Sequence, residues 1–314
     1  MPFVSAAAAS PWSRRLVVQQ TGSTNDDLRA ALTRTDGALD PASQALWPHL
    51  SVLRAEAQTA GRGRADHQWV TPPRSALLAS VVLRPLVPAA QLAWLPLLTG
   101  LALRDALEPL VAGTGWTLRT KWPNDLVALP TQGQLVGQVE GWGRARKLAG
   151  VLTELVAPAG GLSVGTPASR QMAGAVIVGI GVNLGQSAAE LPVPWAASLE
   201  TLGVRPAAGS WDTDALLDDV GEALAVRLSQ WEAVGGDPDR ADSQLGASLR
   251  EACVTLGQQV RVLLPGWRTA MEGEAVDLGP GLVLVDSSGC RQVVSAGDVF
   301  GVRHHDVIWD TLAR

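Results

Sequence analysis

Up to about Val254 the chain alternates apolar runs with stretches of three- and four-residue hydrophobic spacing. The segment TGSTNDDLRAALTR, from Thr21 to Arg34, opens with Ser23 or Thr24 as a helix cap. Asp26 and Asp27 then occupy the first turn, where the helix dipole favours anions. Leu50 to Gln58 reads as a strand, and Ser75 to Leu83 as a buried strand that ends at Arg84-Pro85. Helical spacing predicts a helix from Pro88 to Val111, with Pro96 inside it as a kink. Thr117 to Pro123 and the following NDLVAL read as strands, and the Gly- and Gln-rich stretch after them as a surface connection or insertion. Lys147 to Ala157 is apolar enough for a central strand. Ala175 to Leu184 is another buried strand, with Gly179 and Gly181 at alternate positions that permit close approach of a neighbour. Gln186 to Ser210 reads as loop, and helices are predicted from Asp212 to Trp231 and from Asp239 to Cys253. From Thr255 onward short strands at turn spacing, punctuated by Pro-Gly, Gly-Pro and Ser-Gly, predict a small β-barrel-like domain.

Composition narrows the function classes. With 314 residues, 46% of them hydrophobic, the chain can bury a large core. A net charge of −5 provides no general basic field for nucleic acid, so any anion must be met by a local cluster. No apolar run reaches the roughly 18 residues of a membrane helix. The first fifteen residues, MPFVSAAAASPWSRR, lack a basic start ahead of an apolar stretch and read as the frayed terminus of a cytoplasmic protein. Cys253 and Cys290 show neither zinc nor disulfide spacing and read as small hydrophobes. His304-His305 read as a surface pair. Of the 25 basic residues only Lys121 and Lys147 are lysines. A lysine retained against such an arginine bias suits a crowded charged centre that a planar guanidinium cannot enter.

Four stretches can carry chemistry. Gly61-Arg62-Gly63-Arg64 is neither a P-loop nor a dinucleotide fingerprint. Its glycines nevertheless leave backbone N–H groups open, and its arginines can grip an anion; an exposed turn with solvated arginines is the other reading. In TKWPNDL, Pro123 rules out a helical pair, yet a strand-turn could aim Lys121, Asn124 and Asp125 into one cleft. The alternative is a turn whose Asn and Asp satisfy local backbone groups. Lys147 opens an apolar strand, either as a cleft cation or as a snorkelling edge lysine. Asn183 ends the strand GIGVNL, as a ligand contact or as a turn former.

In their order along the chain, GSTND, AQTAGRGR with Trp69, KWPND, KLAGVLTEL and GIGVNL resemble the biotin protein ligase family, and the likeness runs by motif from about Thr21 to Leu184. The resemblance implies an α+β fold: a mixed sheet flanked by helices, like the catalytic core of class II aminoacyl-tRNA synthetases, with a small C-terminal SH3-like β-barrel. It divides the chain into a tail at 1–15, a catalytic biotin- and ATP-binding domain at 16–254 and the terminal domain at 255–314. It implies activation of biotin by ATP to biotinoyl-AMP, then transfer to a lysine of a biotin carboxyl carrier protein. Ser23, Thr24, Asn25, Gln58, Arg62, Gly63, Arg64 and Lys147 are then expected around biotin. Arg62, Trp69, Lys121, Asn124 and Asn183 are expected at the adenylate, and Lys147, Arg64 and Asp125 are the expected catalytic residues. Mg²⁺ is expected to arrive bound to ATP rather than in an all-protein site.

The chain also departs from the family pattern. After GRGR it continues Ala65-Asp66-His67-Gln68-Trp69, without the further Gly-Arg common in the family. A third cation is missing, and His67 could replace it only as an imidazolium. Leu129 to Arg146 is longer than expected and reads as surface; its Arg144 and Arg146 read as solvated, with service to the carrier or the nucleotide as the other reading. About twenty residues precede the first motif, too few for a winged helix-turn-helix, so a ligase without DNA binding is expected. Monomer and homodimer both stay open. Lipoate ligation and a non-catalytic biotin- or carrier-binding role are the competing readings.

Overall fold

The computed structural model describes residues 10–64, 67–133, 135–206, 209–264, 270–295 and 297–301. Ala65, Asp66, His304 and His305 lie outside them. A seven-stranded mixed sheet is built from β1 (Arg14–Val18), β2 (Ser51–Ala55), β3 (Ala76–Leu83), β4 (Trp116–Lys121), β5 (Asp125–Pro130), β6 (Arg146–Val156) and β7 (Ala175–Asn183). Its order is β1-β2-β3-β7-β6-β5-β4, with β1 parallel to β2 and every other pair antiparallel. A second, wholly antiparallel sheet follows: β8 (Gln259–Leu263), β9 (Ala270–Leu278), β10 (Leu282–Val285), β11 (Arg291–Val294) and β12 (Asp298–Gly301), in the order β11-β10-β9-β8-β12.

Strand periodicity divides the large sheet into two faces. On one, Val81, Leu83, Val178, Ile180 and Val182 join a core completed by α3 (Leu95–Val111) and α4 (Thr213–Ala233). That core runs on without a break into Val260, Val262 and Leu282 of the second sheet, so apolar packing crosses the boundary expected at 254/255. On the opposite face, Leu53, Val82 and Ile177 pack on Leu28 and Leu32 of α1 (Thr24–Leu32) and on Trp47, which follows the short α2 (Ser43–Leu46). Only part of this face is covered, and the uncovered part becomes the site.

Three expectations are corrected. The terminus is not loose up to residue 15: Trp12 is buried against Gly221, where an added methyl would fall 2.5 Å from the indole, and Arg14 already belongs to β1. An aromatic ring that closes the end of a core outweighs the fraying tendency of a terminus. The long helix is two pieces, a 3₁₀ segment from Ala89 to Trp94 and then α3, with Pro96 in the first turn of α3. There its missing N–H has no helical acceptor to serve, so it starts the helix instead of kinking it. The helix predicted from Asp239 spans only Leu245–Ala252 (α5), because the preceding turn residues hydrogen-bond locally. By contrast α4 starts as expected, with the Asp212 carboxylate accepting from the Ala215 N–H at 2.9 Å.

Candidate active site

The register of the central strands places the residues that form the site's floor. On the α1 face of β7 the sequence reads Ile177, Gly179, Gly181, Asn183. Opposite Gly181 lie Leu78 of β3 and Gly150 of β6; opposite Gly179 lie Ser80 and Leu152. The floor is therefore nearly bare of side chains at its centre. What fills it comes from outside the sheet: a methyl on Gly179 would lie 2.4 Å from Asn25 Oδ1, and one on Gly181 would lie 2.6 Å from the Trp69 ring. The alternate glycines thus admit one side chain from the start of α1 and one from the end of the GRGR loop.

These elements enclose a cavity of about 580 Å³, bordered by every site residue named from the sequence. Ser23, Thr24, Asn25 and Gln58 form one end. Arg62, Gly63, Arg64 and Trp69 form its cover, and Lys121, Asn124, Asp125, Lys147 and Asn183 form the other end.

The first end is a chain of neutral polar groups. The Thr24 N–H at the start of α1 donates to Gln58 Oε1 at 2.7 Å, so a side chain beyond β2 caps the helix in place of Ser23. Ser80 Oγ lies 2.6 Å from both Thr24 Oγ1 and Asn25 Oδ1. Asn25 Nδ2 donates to Glu154 Oε2 at 2.7 Å. All but Gln58 of the residues expected here are buried, in keeping with a network whose members satisfy one another.

The two described arms of the cover, 61–64 and 67–69, pair with each other. Gly63 N–H donates to the His67 carbonyl at 2.6 Å and Trp69 N–H to the Gly61 carbonyl at 2.8 Å. The Arg62 guanidinium turns toward the sheet, 2.6 Å from Glu154 Oε2 and 3.0 Å from Asp26 Oδ1. Arg64 reaches the second sheet's loop, donating to the Gly297 carbonyl at 3.1 Å, with Asn124 Oδ1 at 3.5 Å.

The far end is charged. Lys147 Nζ lies 2.7 Å from Asp125 Oδ1 and 5.6 Å from the centre of the Trp69 ring. Lys121 is fully buried, donating to the Val299 carbonyl of β12 at 2.8 Å and resting 4.5 Å over the Trp142 ring. Burial pushes its ammonium pKa down, the Asp125 carboxylate opposes that shift, and the Lys147 charge adds to it. Trp142 stacks on Trp195, centroids 5.8 Å apart and planes within 8°. Asn183 has both ends of its amide engaged, donating to the Ala197 carbonyl at 3.0 Å and accepting from Gln186 Nε2 at 2.9 Å. The loop that holds Ala197 is itself tied to β6, since Lys147 N–H donates to the Trp195 carbonyl and Ala197 N–H to the Lys147 carbonyl.

The stretch from Leu129 to Arg146 is corrected by this arrangement. It is not simply surface, because Trp142 and Ala145 are buried with Val127, Leu129 and Val254. Arg146 is not a solvated arginine either; it donates to the carbonyls of Gly137, Gly143 and Ala145 and so closes the loop on itself. Reading the sequence also passed over Ser80, Glu154, Trp142 and Trp195. For Ser80 and Glu154 a signal exists, a polar side chain inside an otherwise apolar strand run. For the tryptophans there is none, since their partners are distant in sequence.

Residues 30–165 match the Biotin/lipoate A/B protein ligase family. That stretch holds the GRGR loop, KWPND and Lys147, while Ser23 to Asn25 and Asn183 lie outside it. Similar solved structures include a biotin protein ligase from Aquifex aeolicus in complex with biotin and ATP, at 22% identity and a TM-score of 0.62, covering 93% of this chain and 100% of that one. The likeness establishes the fold. Among curated relatives, the chain is 31% identical to a biotin–(acetyl-CoA-carboxylase) ligase of Paracoccus denitrificans, over 86% of this chain and 98% of that protein. It is 35% identical to the enzyme of the same name from Mycobacterium tuberculosis, over 94% of this chain and 92% of that protein. With likeness of that depth across nearly the full length of both, the chain belongs to the biotin protein ligase family.

Proposed function

We propose that this chain is an ATP-dependent biotin ligase. It joins the biotin carboxylate to the α-phosphate of ATP, releasing pyrophosphate, and then passes the biotinoyl group to a lysine amine of a biotin carboxyl carrier protein, releasing AMP. The observation that carries the reading is the polarity of the 580 Å³ cavity. A neutral hydrogen-bonding end suits a ureido head, a floor of Leu78, Gly179, Gly181 and Leu152 suits an apolar stem, and the end bearing Lys147, Asp125 and Lys121 suits a carboxylate meeting a phosphate.

The first step brings anion to anion. At about 4 Å and an effective dielectric near 20 the repulsion of two unit charges is roughly 4 kcal/mol. Lys147, anchored by β6 and by Asp125, offers a fixed ammonium between the reacting groups, and its charge offsets the repulsion most as pyrophosphate leaves. Arg64, on the cover, adds a second cation at the margin, and Trp69 excludes water from an anhydride that water would hydrolyse. In the second step the acceptor amine must be neutral to attack. Asp125 is the carboxylate at that end placed to take its proton, and C–O cleavage then releases AMP. Lys121, Asn124 and Asn183 are assigned to the nucleotide side, with Trp142 and Trp195 as its apolar wall.

Among the described residues no group of three or more His, Cys, Asp or Glu side chains stands together. The charge of Asp125 is already matched by Lys147, which suits a Mg²⁺ ion delivered on ATP phosphates rather than held by protein alone. We assign the second sheet to an SH3-like domain, and the protein to the cytoplasm as monomer or homodimer. Among the described residues no helix is long and apolar enough to cross a membrane. The test is mass spectrometry of a carrier domain incubated with the protein, ATP and biotin. A gain of one biotinyl group on one lysine supports the proposal. Pyrophosphate exchange driven by lipoate and not by biotin would refute it.

A further inference from the structure

Glu154 stands on the floor strand β6, opposite Ile177 and two pairs beyond Gly179, and the mechanism above gives it no part. Its carboxylate is 15% exposed and gathers three donors. Oε2 accepts from Arg62 Nη2 at 2.6 Å and from Asn25 Nδ2 at 2.7 Å, while Oε1 accepts from Arg29 Nη2 at 2.9 Å. Burial alone would raise its pKa, but the donors from Arg62, Asn25 and Arg29 outweigh burial and hold it below the usual carboxylate range. One side chain therefore ties together the GRGR cover, helix α1 and the polar end of the cavity.

The cover has room to move. Arg62, Gly63 and Arg64 border both the main cavity and a second one of about 370 Å³, whose other walls include Glu154, Thr153 and Pro280. Trp69 packs into the floor at Gly181, but the Arg62–Arg64 stretch, with space on both sides, is kept in place by polar catches. Among the described residues Arg62 pairs with the carboxylates of Glu154 and the more exposed Asp26.

We propose that Glu154 is a positioning residue that latches the GRGR cover through Arg62 and, with the same oxygen, sets Asn25 at the biotin end. The assignment of Asn25 to biotin rests on the function proposed above; the latch does not. Opening of the cover and loosening of the head end are thereby coupled, so that the intermediate is retained only while both are held.

Two measurements on the full chain test this. The first is cleavage after Arg64 by trypsin without ligands, which reports how often the cover opens whatever the function is. Glu154→Gln is expected to speed it by about tenfold, the scale of one or two lost charge-assisted hydrogen bonds. Arg62→Gln, on the exposed loop, also removes the Asp26 pair and should give at least that gain, and the double variant little more than Arg62→Gln alone, because the Glu154 contact is already gone. Unchanged cleavage, or effects that multiply, would overturn the latch. The second is release of biotinoyl-AMP in the absence of acceptor, with steady-state kinetics in biotin. Glu154→Gln should release the intermediate roughly tenfold faster and raise KM for biotin more than it lowers kcat. An equal fall of kcat with KM unchanged would overturn the positioning of Asn25. A parent chain that shows latch-dependent cleavage but no biotin-dependent exchange would sink the function proposal and leave the latch standing.

Discussion

Lys147 and Gly179 show how single residues shape the site in opposite ways, one by what it adds and the other by what it lacks. Lys147 is held at 2.7 Å from Asp125 and over the Trp69 ring, so its charge is oriented before any ligand arrives. Lys147→Ala is expected to lower the rate of adenylate formation by about 10²-fold or more while the chain stays folded, since the loss is mainly of transition-state charge stabilisation. Biotin-dependent pyrophosphate exchange, with circular dichroism as the control for folding, checks it. At Gly179 the missing Cβ makes room for the Asn25 amide. Gly179→Ala should force Asn25 aside at a cost of about 1–3 kcal/mol and raise KM for biotin without a matching change in KM for ATP. Both residues are visible in the sequence, Lys147 by its rarity and Gly179 by its alternation with Gly181. The sequence did not show what Gly179 makes room for, because α1 and β7 are joined only by the fold.

Elements explain how the far end is held together. The Leu129 to Arg146 connection looks expendable in sequence, yet it delivers Trp142 to a stack in which Lys121 lies on one side and Trp195 packs on the ring. Trp142→Ala removes a buried ring, a stacking partner and a cation–π contact together. A loss of about 2–4 kcal/mol in stability is expected. Because the stack borders the end assigned to nucleotide, KM for ATP should rise severalfold more than KM for biotin; equal rises would show that the loop has no particular bond to that end. Prediction of this loop as surface failed for a physical reason: Gly and Gln richness describes the turns accurately but says nothing about one aromatic anchored by partners about twenty residues back and about fifty ahead.

At the scale of the whole molecule, a charged knot away from the cavity joins the end of β3 to the end of α4. Arg170 makes paired hydrogen bonds to Glu232 and also donates to the Arg84 carbonyl, while Arg84 N–H donates to His49 Nδ1 at 3.0 Å. Burial, with the charges of Arg170 and Arg84, lowers the His49 pKa from 6.5 to about 4, against the opposing pull of Glu232. The folded chain thus resists protonating an imidazole that the unfolded chain protonates readily. The unfolded state binds more protons between these values, so the stabilisation is complete above pH 6.5 and is lost as pH falls toward 4. It amounts to about 3 kcal/mol at most. Thermal melts across that window should show Tm falling with pH, and His49→Gln should flatten the fall; an unchanged slope in the variant would assign it to other groups.

The sequence alone determined the local rhythm, namely the strands that line the site, the start of α1 and the turn-rich final sheet, while the residues around the cavity were named through the family resemblance of its motifs. The elements follow from periodicity, glycine placement and a few polar groups, which act over short stretches of chain. Only the tertiary structure decided strand order, register and the partners of each charge. Whether Arg62 faces Glu154, whether Trp142 is buried, and whether Trp12 ends a tail or closes a core depend on contacts between segments far apart in sequence. Such contacts form only when the sheet faces have found their cover.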